Sequence, residues 1–141
     1  MKPRERKSSR KPRAAENGAL LFVYGTLRAA SGHPMHRKLR AESDFVGAGT
    51  FRGRLYDLGS YPGAILSRSN GDRVRGEIYR LREPARTLSA LDAYEDRSFH
   101  RLKATVRREN GGKTRCWIYL YALPVTRFHR IACGDFIKRH A

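Results

Sequence analysis

Apolar positions along this chain fall into short runs separated by glycine, proline and polar turns, and one run is apolar without a break. Ala19-Leu20-Leu21-Phe22-Val23-Tyr24 has strand length and stops at Gly25, the pattern of a strand covered on both faces. Pro34 suits the first turn of a short helix, Pro34 to Glu42. From Phe45 to Leu58 the apolar residues are punctuated by Gly47, Gly49 and Gly53, which predicts bent or bulged strands at barrel corners. Tyr61-Pro62-Gly63 marks a turn. Ala64 to Ser67 and Val74 to Leu81 follow as strands around the turn Ser69-Asn70-Gly71-Asp72. Glu83-Pro84 opens a helix to about Glu95. His100 to Glu109 and Lys113 to Leu123 form a hairpin about Asn110-Gly111-Gly112, with Trp117, Tyr119 and Tyr121 on one face and Cys116, Ile118 and Leu120 on the other. Val125 to Ala141 closes the chain. Mostly strand with two short helices, the order predicts an α+β class.

Length and composition sharpen this picture. At 141 residues, with 40% hydrophobic and 10% aromatic residues, the chain suits one globular domain. Met1 to Gly18 differs from the rest: it is charged, has two prolines and no apolar periodicity, and reads as a disordered tail ahead of a domain over 19–141. The formal net charge is +17; the tail holds seven basic side chains and two acidic ones, a net +5, leaving +12 for the remainder. That remainder is arginine spread through every segment, which predicts a diffuse solvated surface and not a nucleic-acid partner, any electrostatic contact of that kind being weak and through the tail. Two cysteines, Cys116 and Cys133, make neither a disulfide framework nor a metal motif. No apolar run approaches membrane-spanning length, and the charged start is no secretory signal. A cytoplasmic location is the expectation.

Familiar chemical motifs are missing. There is no G-x-S-x-G elbow and no phosphate-binding G-x-x-x-x-G-K-[ST]. His33 and His36 lack a third ligand nearby, and His100, His129 and His140 are scattered. Neither a metal nor a cofactor is expected. Tyr24-Gly25-Thr26-Leu27-Arg28 follows the buried strand, and glycine there lets successive N–H groups converge on a carboxylate, Gly25 taking a positive φ; an ordinary turn is the competing reading. Ala85, Leu88, Leu91 and Glu95 share one helical face. On this spacing Glu95 faces the core at the helix C-terminus, where burial and the helix dipole both favour its neutral form. That suits a general base near pH 7. A solvated glutamate paired with Arg97 or Arg101 is the alternative.

Together these segments resemble the gamma-glutamylcyclotransferase-like superfamily, in its small avirulence-induced-gene-like branch. The resemblance rests on Val23-Tyr24-Gly25-Thr26-Leu27-Arg28, Tyr61-Pro62-Gly63, Val74-Arg75-Gly76-Glu77-Ile78-Tyr79, Leu91-Asp92-Ala93-Tyr94-Glu95, Phe99-His100-Arg101, Trp117-Ile118-Tyr119 and Gly134-Asp135-Phe136. It spans about residues 20–138. It implies a small mixed-strand β-barrel flanked by short helices, with a cavity at its mouth. It implies that Tyr24, Gly25, Thr26 and Leu27 hold a gamma-glutamyl head group, that Glu95 is the catalytic acid/base, and that Tyr61 and Tyr119 are further substrate contacts. The implied reaction is cyclisation of a gamma-glutamyl amide to 5-oxoproline with release of an amine or amino acid. Departures are Phe136 in place of the usual tryptophan, Asp96 in place of glycine, and the basic tail. Two other readings stand beside it: the same fold serving a specialised metabolite or no catalysis, and a basic nucleic-acid-binding module.

Overall fold

The computed structural model describes residues 19–28, 34–95 and 97–138. The expected tail over 1–18, and His33, Asp96 and His140, lie outside the described residues. Five strands close a barrel in the order β1-β5-β2-β6-β7: β1 (Leu20–Val23), β2 (Ser43–Phe51), β5 (Val74–Leu81), β6 (Phe99–Arg108) and β7 (Lys113–Tyr121). Closure is by a parallel contact of β1 with β7 at Leu21 and Trp117; the other neighbours are antiparallel, so the barrel is mixed. A second, three-stranded sheet has the order β4-β3-β8, from β3 (Gly53–Asp57), β4 (Pro62–Leu66) and β8 (His129–Arg130). Among the described residues two helices, α1 (Pro34–Ala41) and α2 (Pro84–Tyr94), flank the barrel.

The unbroken apolar run has a direct cause. Leu20, Phe22 and Tyr24 point into the barrel core with Ile78, Val106, Cys116, Ile118 and Leu120. Ala19, Leu21 and Val23 face a second core, formed with Leu39 of α1 and Leu88 and Leu91 of α2. A strand buried on both faces has no polar position to spare. The hairpin alternation also holds: Cys116, Ile118 and Leu120 lie in the barrel, while Trp117 and Tyr119 pack in the second core.

Several boundaries move, each for a physical reason. β2 begins at Ser43, where the Ser43 hydroxyl donates to the Leu39 carbonyl at 2.5 Å and ties the strand to α1. Phe45 is 53% exposed, and the pairing of β2 with β5 slips between Phe45 and Gly47, the bulge that the glycine pattern foretold. Pro62 and Gly63, assigned to a turn by sequence, open β4 opposite Asp57 and Tyr56; proline is tolerated as the first residue of a strand. β7 stops at Tyr121, and Leu123 is 51% exposed. Ala85 is exposed, contrary to the shared-face reading, and the buried residues of α2 are Thr87, Leu88 and Leu91. Among the C-terminal residues, Ile131 and Phe136 fill the barrel core.

Candidate active site

One end of the barrel opens into a cavity of about 300 Å³. The end of β1 supplies Phe22, Val23 and Tyr24, and the following turn supplies Gly25, Thr26 and Leu27. Ser60, Tyr61 and Pro62 form one wall, Tyr94 and Glu95 come from the end of α2, and Phe99 and Tyr119 from β6 and β7. All seven residues singled out by sequence thus border one space. Glu95 is the one charged side chain among the described lining residues.

The turn is fixed by its own backbone, with Arg28 N–H donating to the Gly25 carbonyl at 3.0 Å. Its tip is tied to α2 by a 3.1 Å hydrogen bond between the Thr26 and Tyr94 hydroxyls. His36 lies 2.8 Å from the Leu27 carbonyl through Nδ1, which gives this histidine a structural contact. Gly25 does not have the expected positive φ; the glycines with positive φ are elsewhere. The requirement is steric: a Cβ at Gly25 would lie 2.8 Å from the ring carbons of Pro62. Arg28, at the end of the turn, is anchored by Asp135 at 2.7 Å, with Glu77 3.8 Å away.

Glu95 stands just past the last helical residue. It is the C-cap, with φ −72° and ψ 140°, and its N–H completes the final helical bond to the Leu91 carbonyl at 2.9 Å. The extended ψ turns the chain off the helix axis. Glu95 therefore reaches the cavity by ending the helix, not by continuing its apolar face. It is half-buried.

Two tyrosines carry the electrostatics. The Tyr24 hydroxyl donates to the Tyr119 carbonyl at 2.6 Å and accepts from Ala64 N–H at 3.2 Å. Burial pushes its phenol up; the Ala64 N–H opposes this, and the charge of Glu95 adds to it. The Tyr119 hydroxyl donates to Asp92 Oδ1 at 2.5 Å. Burial again raises this phenol most, followed by the bond to Asp92, with Glu95 contributing in the same direction. Both hydroxyls are committed to protein acceptors, so these residues offer the cavity mainly their rings. The charge of Glu95 acts on both phenols in the same direction.

The gamma-glutamyl cyclotransferase, AIG2-like family matches residues 21–138. The chain belongs to this family. YtfP of Escherichia coli strain K12, named as a gamma-glutamylcyclotransferase family protein, is 35% identical over 121 residues, covering 84% of this chain and 96% of that protein. The solution structure of YtfP aligns with a TM-score of 0.60 at 31% identity, over 86% of this chain and 99% of that one. The crystal structure of an AIG2-like protein from Mus musculus aligns with a TM-score of 0.65 at 27% identity, over 84% of this chain and 87% of that one. YkqA of Bacillus subtilis has a TM-score of 0.66 at 27% identity; this chain spans 39% of its length.

Within this family fold, sequence reasoning left out part of the wall. Phe99 packs against Tyr61 at a ring distance of 6.0 Å and extends the aromatic side of the cavity. Asp92 holds Tyr119 and is itself gripped by Arg101 through Nε at 2.9 Å and Nη2 at 3.0 Å. Arg101 stacks over Trp117 at 4.5 Å. The signal for this network was present, since Leu91-Asp92-Ala93-Tyr94-Glu95, Arg101 and Trp117-Ile118-Tyr119 all lie in matched segments. Only the fold brings residues 92, 101 and 119 together.

Proposed function

We propose that this protein cyclises a gamma-glutamyl amide to 5-oxoproline, releasing an amine or amino acid, with Glu95 as the acid/base. The observation that carries the reading is the placement of one half-buried carboxylate, the one charged side chain among the described lining residues, in the same cavity as the Gly25–Leu27 turn. In this reading the turn grips the gamma-glutamyl head group, and Tyr24, Tyr61 and Tyr119 shape the space around it.

The substrate brings its own nucleophile. Its α-amino nitrogen attacks the side-chain amide carbon, a C–N bond forms in a five-membered ring, and the original amide C–N bond breaks. Glu95 takes a proton from the ammonium group and delivers it to the leaving nitrogen, and the second proton that the attacking nitrogen sheds on becoming a lactam N–H passes by the same carboxylate to the released amine. Holding the substrate folded converts the attack into a favourable intramolecular step; effective molarities reach about 10⁵ to 10⁸ M in well-oriented cases. A low-dielectric pocket strengthens the contacts that steady the developing oxyanion. The committed hydroxyls of Tyr24 and Tyr119 keep the walls rigid while this happens, as a preorganised site requires.

A panel of gamma-glutamyl amino acids and gamma-glutamyl amines, assayed for 5-oxoproline and free amine, tests the reading. At least one compound should give the two products in equal amounts. Absence of 5-oxoproline across the panel, from protein that binds these compounds, would remove the catalytic assignment.

A further inference from the structure

Several basic side chains border one further hollow of the surface. A second concavity, of about 340 Å³, opens on the outer wall of the barrel where β2, β5 and β6 run side by side, with residues 135–138 along its flank. The strand register places Arg75 directly opposite Thr50, and Arg107 opposite the same Thr50 on its other side. Their chain neighbours Val74, Phe51 and Val106 lie in the barrel core, so by alternation Arg75, Thr50 and Arg107 form one outward row. Two strand spacings, about 10 Å, separate the arginine backbones, and both side chains are long enough to lean over the threonine between them.

Lys138 adds a further cation to the lining, and Arg108 borders it at the strand, its side chain by the same alternation on the other face from Arg107. Arg28 and Asp135 close the back as an ion pair of 2.7 Å, with side chains 13% and 7% exposed. Ile137 N–H also donates to Asp135 at 3.0 Å, so that carboxylate is already engaged. Glu109 is the other acid of the lining. Among the described residues, the ion pairs do not include Arg75, Arg107, Arg108 or Lys138. Like charges ranged along one sheet face repel, and an anion between them removes that cost.

We propose that this cleft binds a phosphate group, with Arg75 and Arg107 gripping it from two sides and the Thr50 hydroxyl at its floor. Phosphate suits the arrangement better than a carboxylate. It offers oxygens on several sides to two guanidinium forks and a hydroxyl, whereas a carboxylate presents a single edge. The group can belong to free phosphate or to a nucleic-acid backbone, and the site is independent of the reaction assigned to the end cavity.

The test uses the full ¹⁵N-labelled chain, titrated with inorganic phosphate and separately with a short single-stranded oligonucleotide, at ionic strength held constant with chloride. Saturable shifts are expected at the amides of Thr50, Arg75 and Arg107. In Arg75→Ser/Arg107→Ser the affinity should fall by about tenfold or more. Phosphate binding that is lost in this variant supports the site, with free phosphate sufficient. Binding of the oligonucleotide alone, lost in the same variant and falling steeply with salt, supports it with the phosphodiester as the source. Should the double variant not fold, Thr50→Val and Lys138→Gln are measured in its place, alongside the wild-type shift map. No saturable shift at these amides with either ligand, or equal binding by the variants, overturns the proposal.

Discussion

The two concavities are close in size, about 300 and 340 Å³, and opposite in chemistry. The end cavity is assembled from five separate stretches of chain and has one carboxylate among rings and aliphatic walls. The outer cleft is a row on three neighbouring strands, dominated by arginine and lysine. The net charge of +17 is therefore no guide to the chemistry of the end cavity. Bulk charge reports on surfaces and association, while an enclosed site is set by a few side chains placed by the fold. Variants that act on one region and spare the other test whether the division is real.

The largest expected effect is at Glu95. Glu95→Gln keeps the shape and removes the base, so turnover should fall by about 10² to 10⁴, or roughly 3 to 5 kcal/mol of barrier. The fold should survive, since a neutral amide costs less to bury than a carboxylate; circular dichroism and steady-state rates check both. Arg75→Ser/Arg107→Ser should leave turnover unchanged, and a matching loss there would break the comparison.

Gly25→Val comes next. The new side chain meets the Pro62 ring at 2.8 Å, forcing the turn and the facing wall apart. A folded variant should lose about 1 to 3 kcal/mol of stability and its calorimetric binding of gamma-glutamyl compounds. Retained affinity would reduce Tyr24–Leu27 to a connection.

Asp92→Asn should have a smaller effect, a fall in turnover of less than about tenfold, because Asp92 acts through Tyr119. Its pH behaviour is the sharper readout. The hydrogen bond from Arg101 is the main cause holding Asp92 below its ordinary value, with the Tyr119 hydroxyl adding to it against the effect of burial. A carboxyl lowered in the folded state contributes stability that is complete above its unfolded value of about 3.9 and is lost as pH falls through the lower folded value. Asp92 thus stays ionised at any pH above about 4. An acidic limb of the pH–rate profile above that range should persist in Asp92→Asn. The least effect is expected from deleting residues 1–18, whose composition offers no apolar face to dock: melting temperature and turnover should both be retained.

Much of the fold could be read from residue patterns where burial is complete. The two-faced run ending at Tyr24 is constrained on every side, and Val74 to Leu81 at its buried alternate positions, so their sequences admit few alternatives. Reading failed where a residue's environment depends on distant chain. An exposed Ala85 looks the same as a buried one in a helical repeat. Pro62 reads as a turn until Asp57 is found beside it. Spacing placed Glu95 at the helix C-terminus, where it stands, but not its direction, because a C-cap with extended ψ leaves the helical face that spacing arguments assume. The contact between Gly25 and Pro62 and the bond from Tyr119 to Asp92 join residues 37 and 27 positions apart, and no local pattern encodes either. Glu77 accepts a hydrogen bond from Tyr79 at 2.8 Å and lies near Arg28, contacts that only the folded chain reveals.

The central claim is that the end cavity drives an intramolecular attack with Glu95 as its proton carrier. Single turnover of a confirmed gamma-glutamyl substrate in ¹⁸O-labelled water, with mass analysis of both products, tests it most directly. The account predicts 5-oxoproline and free amine in equal amounts, no solvent oxygen in the ring product, and almost no product from a Glu95→Gln protein that still binds the substrate. Free glutamate carrying ¹⁸O, or full product from Glu95→Gln, would contradict it.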